Sequence, residues 1–419
     1  MNHRLIGFYV LIAIFVARTS DAEGFRIYGM SADGQMRGEA LVASSKGADA
    51  NWYNPAALVK LAPTGNVSGG LNYLVLKAKY TSTTGQSVMN NDSDFPLPSF
   101  YYSQKVGPRW AFGIGLNTPF GLSTDYTDPS FNYITTGGEI KLVNVSPNTS
   151  FKISDSLSFG AGVNYYKSST ELRQDVPYSQ IPPPIVPPGS SDSSLKVQGK
   201  GDGFGLNTGF LWSLSKTQNF GVTYKSEVTV DYDGEKAHLD TAPGINAPYD
   251  VGVKTRLRFP DMVAFGWNTK PTNRWDIEIG GQWTNWADME KVEIKFEDQT
   301  FVQDQTTRFD WKNTWTARVG GTYALNDIWK LSGGYFYTTS PTRESTYTPL
   351  VPDGDHHVFS LGGTYDKGPL SVGIPLVLII QTGTSNIQND KTDVTGSNNV
   401  NGNYELMAYQ LGLSASWKF

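Results

Sequence analysis

The sequence contains no cysteine, so neither a disulfide framework nor a thiolate metal site is available to it. Histidine is scarce as well. His3 lies at the amino terminus, and the other three of the four, His238, His356 and His357, fall in or beside expected loops and read as solvated residues. No motif around them would position a nucleophile or a general base. Adjacent residues of a strand point to opposite faces, so His356 and His357 make a poor metal pair. No enzyme activity, metal or cofactor is expected. The formal net charge is only −5 and no basic block is present, which points away from nucleic acid. Long apolar runs are missing too. After residue 22 none approaches the roughly 20 residues of a membrane helix, and helical periodicity almost disappears after residue 62.

What is present points to export. His3 and Arg4 form a short basic region, an apolar run follows from Leu5 to Ala17, and Ser20, Asp21 and Ala22 supply small residues where cleavage is directed. The pattern predicts a secretory signal over residues 1–22. Its apolar run, about 13 residues, is too short to span a bilayer. Behind it stand 44 Gly, 22 Tyr, 21 Phe and 11 Trp, yet the mean hydropathy is −0.34. A chain rich in aromatics and glycine but polar on average suits a transmembrane β-barrel, whose strands turn one face to lipid and the other to a packed or polar lumen.

Strand-like runs are expected at roughly 66–81, 98–106, 110–119, 139–153, 157–174, 195–214, 219–233, 251–270, 274–297, 307–325, 329–340, 355–366, 369–383 and 404–419. That is about 14 strands, an even number as bacterial barrels require. The connectors carry the stronger argument. Gly107–Arg109, Ser154–Ser156, Ser215–Gln218, Pro271–Asn273, Asn326–Ile328 and Lys367-Gly368 are tight, and long connectors alternate with them. Short turns on the periplasmic side and long loops outside are the barrel arrangement.

Local alternation agrees. Val251, Val253, Leu257 and Phe259 alternate with Lys254, Arg256 and Arg258, and Trp275, Ile277 and Ile279 with Asp276 and Glu278. Charge facing lipid near the midplane costs about 2–4 kcal/mol for Arg or Lys. The charged faces are therefore expected inward, paired across the two strands. The final strand places Tyr409, Leu411, Leu413, Ala415, Trp417 and Phe419 on one face. Ending on Phe419, it resembles the carboxy-terminal signal read by the barrel-insertion machinery. Residues 23–62 do not read as strand, and their Trp, Tyr, Leu and Val content argues against disorder. They form a segment long enough to plug the lumen of a barrel spanning 63–419.

A set of short elements resembles the FadL-type outer-membrane transporters of long-chain fatty acids, which include the toluene-uptake channels. It comprises Gly24-Phe25, Asn54-Pro55-Ala56, Trp110–Gly115, Asn117–Leu122, Gly203–Gly209, Gly221–Ser226, Phe259–Asp261, Trp283–Trp286, Trp311–Trp315 and Pro352-Asp353. The resemblance covers essentially the whole mature chain. It implies a 14-stranded barrel closed by an amino-terminal hatch, in the Gram-negative outer membrane. It also implies capture of a hydrophobic ligand by extracellular loops, a pocket beside the hatch, and lateral exit where the third strand kinks inward. On that basis Phe25, Asn54, Pro55 and Ala56 are candidate pathway and hatch residues, and Pro119, Phe120 and Gly121 the candidate kink. Pro cannot donate to the sheet and Gly tolerates bends, so the local chemistry permits one.

The loop carrying Ile181, Ile185 and Val186 among several prolines is stiff and apolar, suited to first docking of substrate or to covering the mouth. The expected partners are hydrophobic small molecules, outer-membrane lipid and lipopolysaccharide, with the protein acting as a monomer. Fatty acids are the first substrate reading and monoaromatic hydrocarbons the alternative. A carboxylate would want a basic or hydrogen-bonding group that a hydrocarbon does not. An aqueous porin, which would normally lack a hatch-sized segment, an outer-membrane enzyme and an adhesin are the readings from other classes.

Overall fold

The computed structural model describes residues 23–61, 65–90, 94–181, 183, 186–382, 387–388 and 401–419. The expected signal over 1–22 and the candidate Ile185 lie outside the described residues. The chain forms a closed, antiparallel, 14-stranded barrel around an amino-terminal segment. Its strands are β1 (Gly65–Ser82), β2 (Asp94–Val106), β3 (Trp110–Asn117, resuming as Gly121–Asp125), β4 (Gly137–Lys152) and β5 (Leu157–Val176). There follow β6 (Ser193–Ser213), β7 (Gln218–Lys225 and Val228–Ala242), β8 (Ala247–Phe259 and Met262–Thr269) and β9 (Trp275–Thr284 and Lys291–Phe296). The circuit ends with β10 (Gln305–Arg308 and Thr314–Ala324), β11 (Trp329–Thr338), β12 (Asp355–Lys367), β13 (Leu370–Thr382) and β14 (Gly402–Lys418). Pairing of β1 with β14, from Asn66 opposite Lys418 to Ser82 opposite Gly402, closes the sheet. A short strand, Ser87–Met89, folds back on β1 outside the circuit. All six tight turns fall between paired strands at one end, as expected.

Alternation explains the wall. In β14 Tyr409, Leu411, Leu413 and Trp417 are exposed on the outside while Gln410 is buried inside. Trp110, Trp212, Trp275, Trp329 and Trp417 stand outward beside the tight turns and form the aromatic girdle of the periplasmic rim. The nearly unbroken apolar run of β13 resolves in the same way. Ile374, Leu376 and Leu378 face out, and Val377 and Ile379 pack inward against Tyr28.

One expectation about facing is overturned. Asp276 and Glu278 do point inward, but Lys254, Arg256 and Arg258 point outward, and Val251, Val253, Leu257 and Phe259 are buried. The basic residues therefore do not pair with Asp276 and Glu278. Arg256 instead meets Asp231 at 2.5 Å on the outer surface. This part of β8 lies towards the long-loop end, where the outside is water rather than hydrocarbon, so charge is favoured outside and apolar packing inside.

The amino-terminal segment fills the lumen. Ser31 caps helix α1 (Ala32–Met36) by accepting from the Gly34 N–H at 3.1 Å. Helix α2 (Ala50–Tyr53) and a 3-10 turn (Pro55–Lys60) follow. Barrel carboxylates hold the segment. Glu278 accepts from the backbone N–H groups of Val42 (2.7 Å) and Ala43 (3.1 Å), and Asp276 is paired with Arg37 and Lys46. At Gly160 a side chain would overlap the backbone of Pro55 and Ala56, so the close approach of segment to wall requires glycine there.

Candidate functional site

The third strand does not run unbroken to Pro119. It stops at Asn117, leaves the sheet over Thr118, Pro119 and Phe120, and resumes at Gly121. Opposite Asn144 stands Asn117, and opposite Lys141 stands Gly121. Three residues of β3 thus face two of β4, a bulge that bends the strand. Pro119, which has no N–H to donate, sits inside it. On the other side the last pair between β2 and β3 is Phe100 with Leu116. Among the described residues Asp94–Ser99 pair only with β1, so the wall is unpaired between β2 and the upper part of β3.

The displaced strand is held from inside. The Ile27 N–H donates to the Pro119 carbonyl at 2.9 Å, and the Gly121 N–H donates to the Phe25 carbonyl at 3.0 Å. The start of the chain thus adds itself to the bent strand as a short antiparallel partner. Phe120 is buried, with its ring 6.2 Å from Phe25 and 5.1 Å from Phe259. Trp286 stacks edge-on against Phe25 at 4.8 Å and against Trp311 at 5.0 Å. These rings form a dry aromatic cluster inside the barrel beside the break.

A cavity of about 410 Å³ adjoins the break, within the range of small-molecule sites. It reaches from buried Phe25 past Leu97, Phe120 and Leu122 to the outward-facing Val143. Both cations on its wall are paired: Arg26 with Glu23 at 2.5 Å, both buried, and Lys141 with Glu139 at 2.6 Å. Asp353, in the loop after β11, accepts from the Gly24 N–H at 2.9 Å and the Ser340 hydroxyl at 2.7 Å. Burial pushes its carboxyl up to about 7. Gly24 adopts φ of +66°, a conformation that favours glycine.

Phe25, Phe120 and Gly121 line this cavity, and Pro119 is bonded to the strand-like start of the chain. Asn54, Pro55 and Ala56 stand elsewhere. The Asn54 amide donates to the carbonyls of Val42 (2.8 Å) and Phe210 (3.0 Å), and the Ala56 carbonyl accepts from Ser150 and Ser158. They fasten the segment to the wall. Ile181 packs against, and Val186 is buried in, an apolar cluster at the mouth with Tyr178, Leu195 and Val253.

His356 corrects the reading of solvated histidines. It is the second residue of β12, buried, and faces the cavity, with Nε2 3.8 Å from Asp353. His238 lies within β7, exposed, with Nδ1 2.6 Å from Asp250. Asp353, His356, Tyr28 and Gln410 were not singled out as site residues from the sequence. Alternation along β12 and β14 marks His356 and Gln410 as candidates to face inward, but nothing local says that a cavity faces them.

The profile of a family described as outer membrane protein transport protein (OMPP1/FadL/TodX) matches residues 13–419. The long-chain fatty acid transport protein of Escherichia coli O6:H1 is 26% identical over 398 residues, covering 84% of this chain and 86% of that protein. Among solved structures, a Pseudomonas aeruginosa FadL homologue superposes with a TM-score of 0.83 at 21% identity, over 94% of this chain and 100% of the other. The Pseudomonas putida toluene transporter TodX superposes with a TM-score of 0.72 at 20% identity, over 94% and 99%. These structures share the barrel with its internal segment. The chain belongs to the OMPP1/FadL/TodX family and is a Gram-negative outer-membrane channel for hydrophobic compounds, not an enzyme.

Proposed function

We propose that the channel takes up small neutral hydrophobic compounds, monoaromatic hydrocarbons foremost, and releases them sideways between β2 and β3. The carrying observation is the cavity beside the unpaired wall, where each lining cation already has a carboxylate partner. A carboxylate ligand would meet cations already neutralised by Glu23 and Glu139, whereas a hydrocarbon asks for no counter-charge. Keeping apolar surface out of water is worth roughly 25 cal/mol per Å², so a dry path that opens to lipid suits such a solute. In this reading the apolar cluster around Val186 captures solute at the mouth, and Phe25, Phe120 and Gly121 line its path. Pro119 makes the exit, and Asn54, Pro55 and Ala56 keep the segment seated. The channel works passively and as a monomer, and exposed Phe419 serves the insertion machinery. Long-chain fatty acids are the second reading, favoured by the likeness to the long-chain fatty acid transport protein of Escherichia coli.

Uptake of labelled toluene and labelled oleate by cells lacking their own transporter, with and without this protein, separates the two. The first reading expects toluene uptake with no gain in oleate uptake or small-sugar permeability. Oleate uptake alone would establish the second, and sugar leakage alone would make the protein a porin.

A further inference from the structure

Besides the exposed Lys141–Glu139 pair, the cavity is lined mainly by apolar side chains, with the buried Arg26, Asp353, His356 and Gln410 among its polar ones. Nε of Arg26 is buried there without a hydrogen-bond partner, and the buried His356 ring has only the Gln381 side chain beside it to serve its two nitrogens. His356 is only 9% exposed. The Asp353 carboxyl lies 3.8 Å from Nε2. Buried polar atoms without partners are costly and few in native proteins, so these two side chains on one cavity wall call for a third party.

We infer that the cavity favours hydrophobes bearing one neutral oxygen function, a hydroxyl or a carbonyl, and that His356 selects for it. This rests on the reading that hydrophobic solutes occupy this cavity. A neutral imidazole carries one donor and one acceptor, so it serves a hydroxyl in either direction and a carbonyl through its N–H. An anionic head group fits badly, because Arg26 is already neutralised by Glu23. The apolar walls formed by Leu97, Leu122 and Ile379 take the hydrocarbon body.

The test uses the purified full-length protein in detergent and three ligands on one skeleton: toluene, p-cresol and p-toluate. Affinities are compared between wild type and His356→Phe, which keeps a ring and removes both nitrogens. The p-cresol-to-toluene affinity ratio falls about tenfold in the variant, the scale of one hydrogen bond. His356→Asn, which retains a donor and an acceptor, keeps most of the ratio and serves if the Phe variant does not fold. An unchanged ratio in His356→Phe overturns the inference and leaves water as the partner of the ring. Tighter binding of p-toluate than of p-cresol to wild type overturns it in favour of charge recognition. Binding of none of the three would bring down the reading of the cavity itself along with the inference, whereas equal effects of the variant on toluene and p-cresol sink the inference alone.

Discussion

The outer part of β8 and the inner part of β9 obey the same period of two with opposite sense. Along Val251–Phe259 the apolar side chains point into the barrel and the basic ones out. Along Trp275–Ile279 Trp275 and Ile279 point out and the acids in. The alternation fixes that a strand has two unlike faces, and the medium outside decides which face is which. Near the periplasmic rim the outside is hydrocarbon, so charge goes inward and anchors the amino-terminal segment through Asp276 and Glu278. Towards the loops the outside is water, the interior becomes apolar, and aromatic residues such as Phe259 and Trp286 gather there.

That contrast can be broken in graded ways. The dry outer interior raises the Asp353 carboxyl to about 7 against about 3.9 in an unfolded chain, so the folded state binds the extra proton. Its contribution to stability is fully present below about pH 4 and is lost as pH rises through about 7, by on the order of 4 kcal/mol at most. Asp49, pushed up to about 6 chiefly by burial within the segment, adds a slope of the same sign. Measured by urea unfolding from lipid vesicles, the stability of wild type relative to Asp353→Asn should fall as pH rises across this range. Next in size, Ile279→Lys places charge on the lipid face of the inner part and should cost about 2–4 kcal/mol by the same unfolding measurement. Smallest is Arg256→Ala. Its partner Asp231 is solvent-exposed, so its loss should change stability by less than about 1 kcal/mol, and less still at high salt. A large cost for Arg256→Ala would mean that this face is not in water.

Much of the barrel was legible in the sequence because strand length, turn length and alternation are local properties. Gly107–Arg109 or Asn326–Ile328 cannot be anything but tight turns between neighbouring strands. The inward break at Pro119 was legible only as a possibility, since proline permits a bulge but the missing pairs on Asp94–Ser99 belong to another strand. The facing of Lys254 and Arg258 was misread because period two is silent about the medium. His356 was misread because it follows a loop, and the cavity wall it joins is completed by Ile379 and Gln410 from two other strands.

The central claim is that solute leaves through the wall where β3 is bent. Deleting Pro119 removes the one residue by which β3 exceeds β4, so that β3 can run straight and pair with Asp94–Ser99. Toluene uptake by cells carrying this deletion, compared with wild type at equal amounts of folded barrel, tests it most directly. Uptake falling to the level of cells without the channel is the predicted result; uptake equal to wild type would contradict the lateral route.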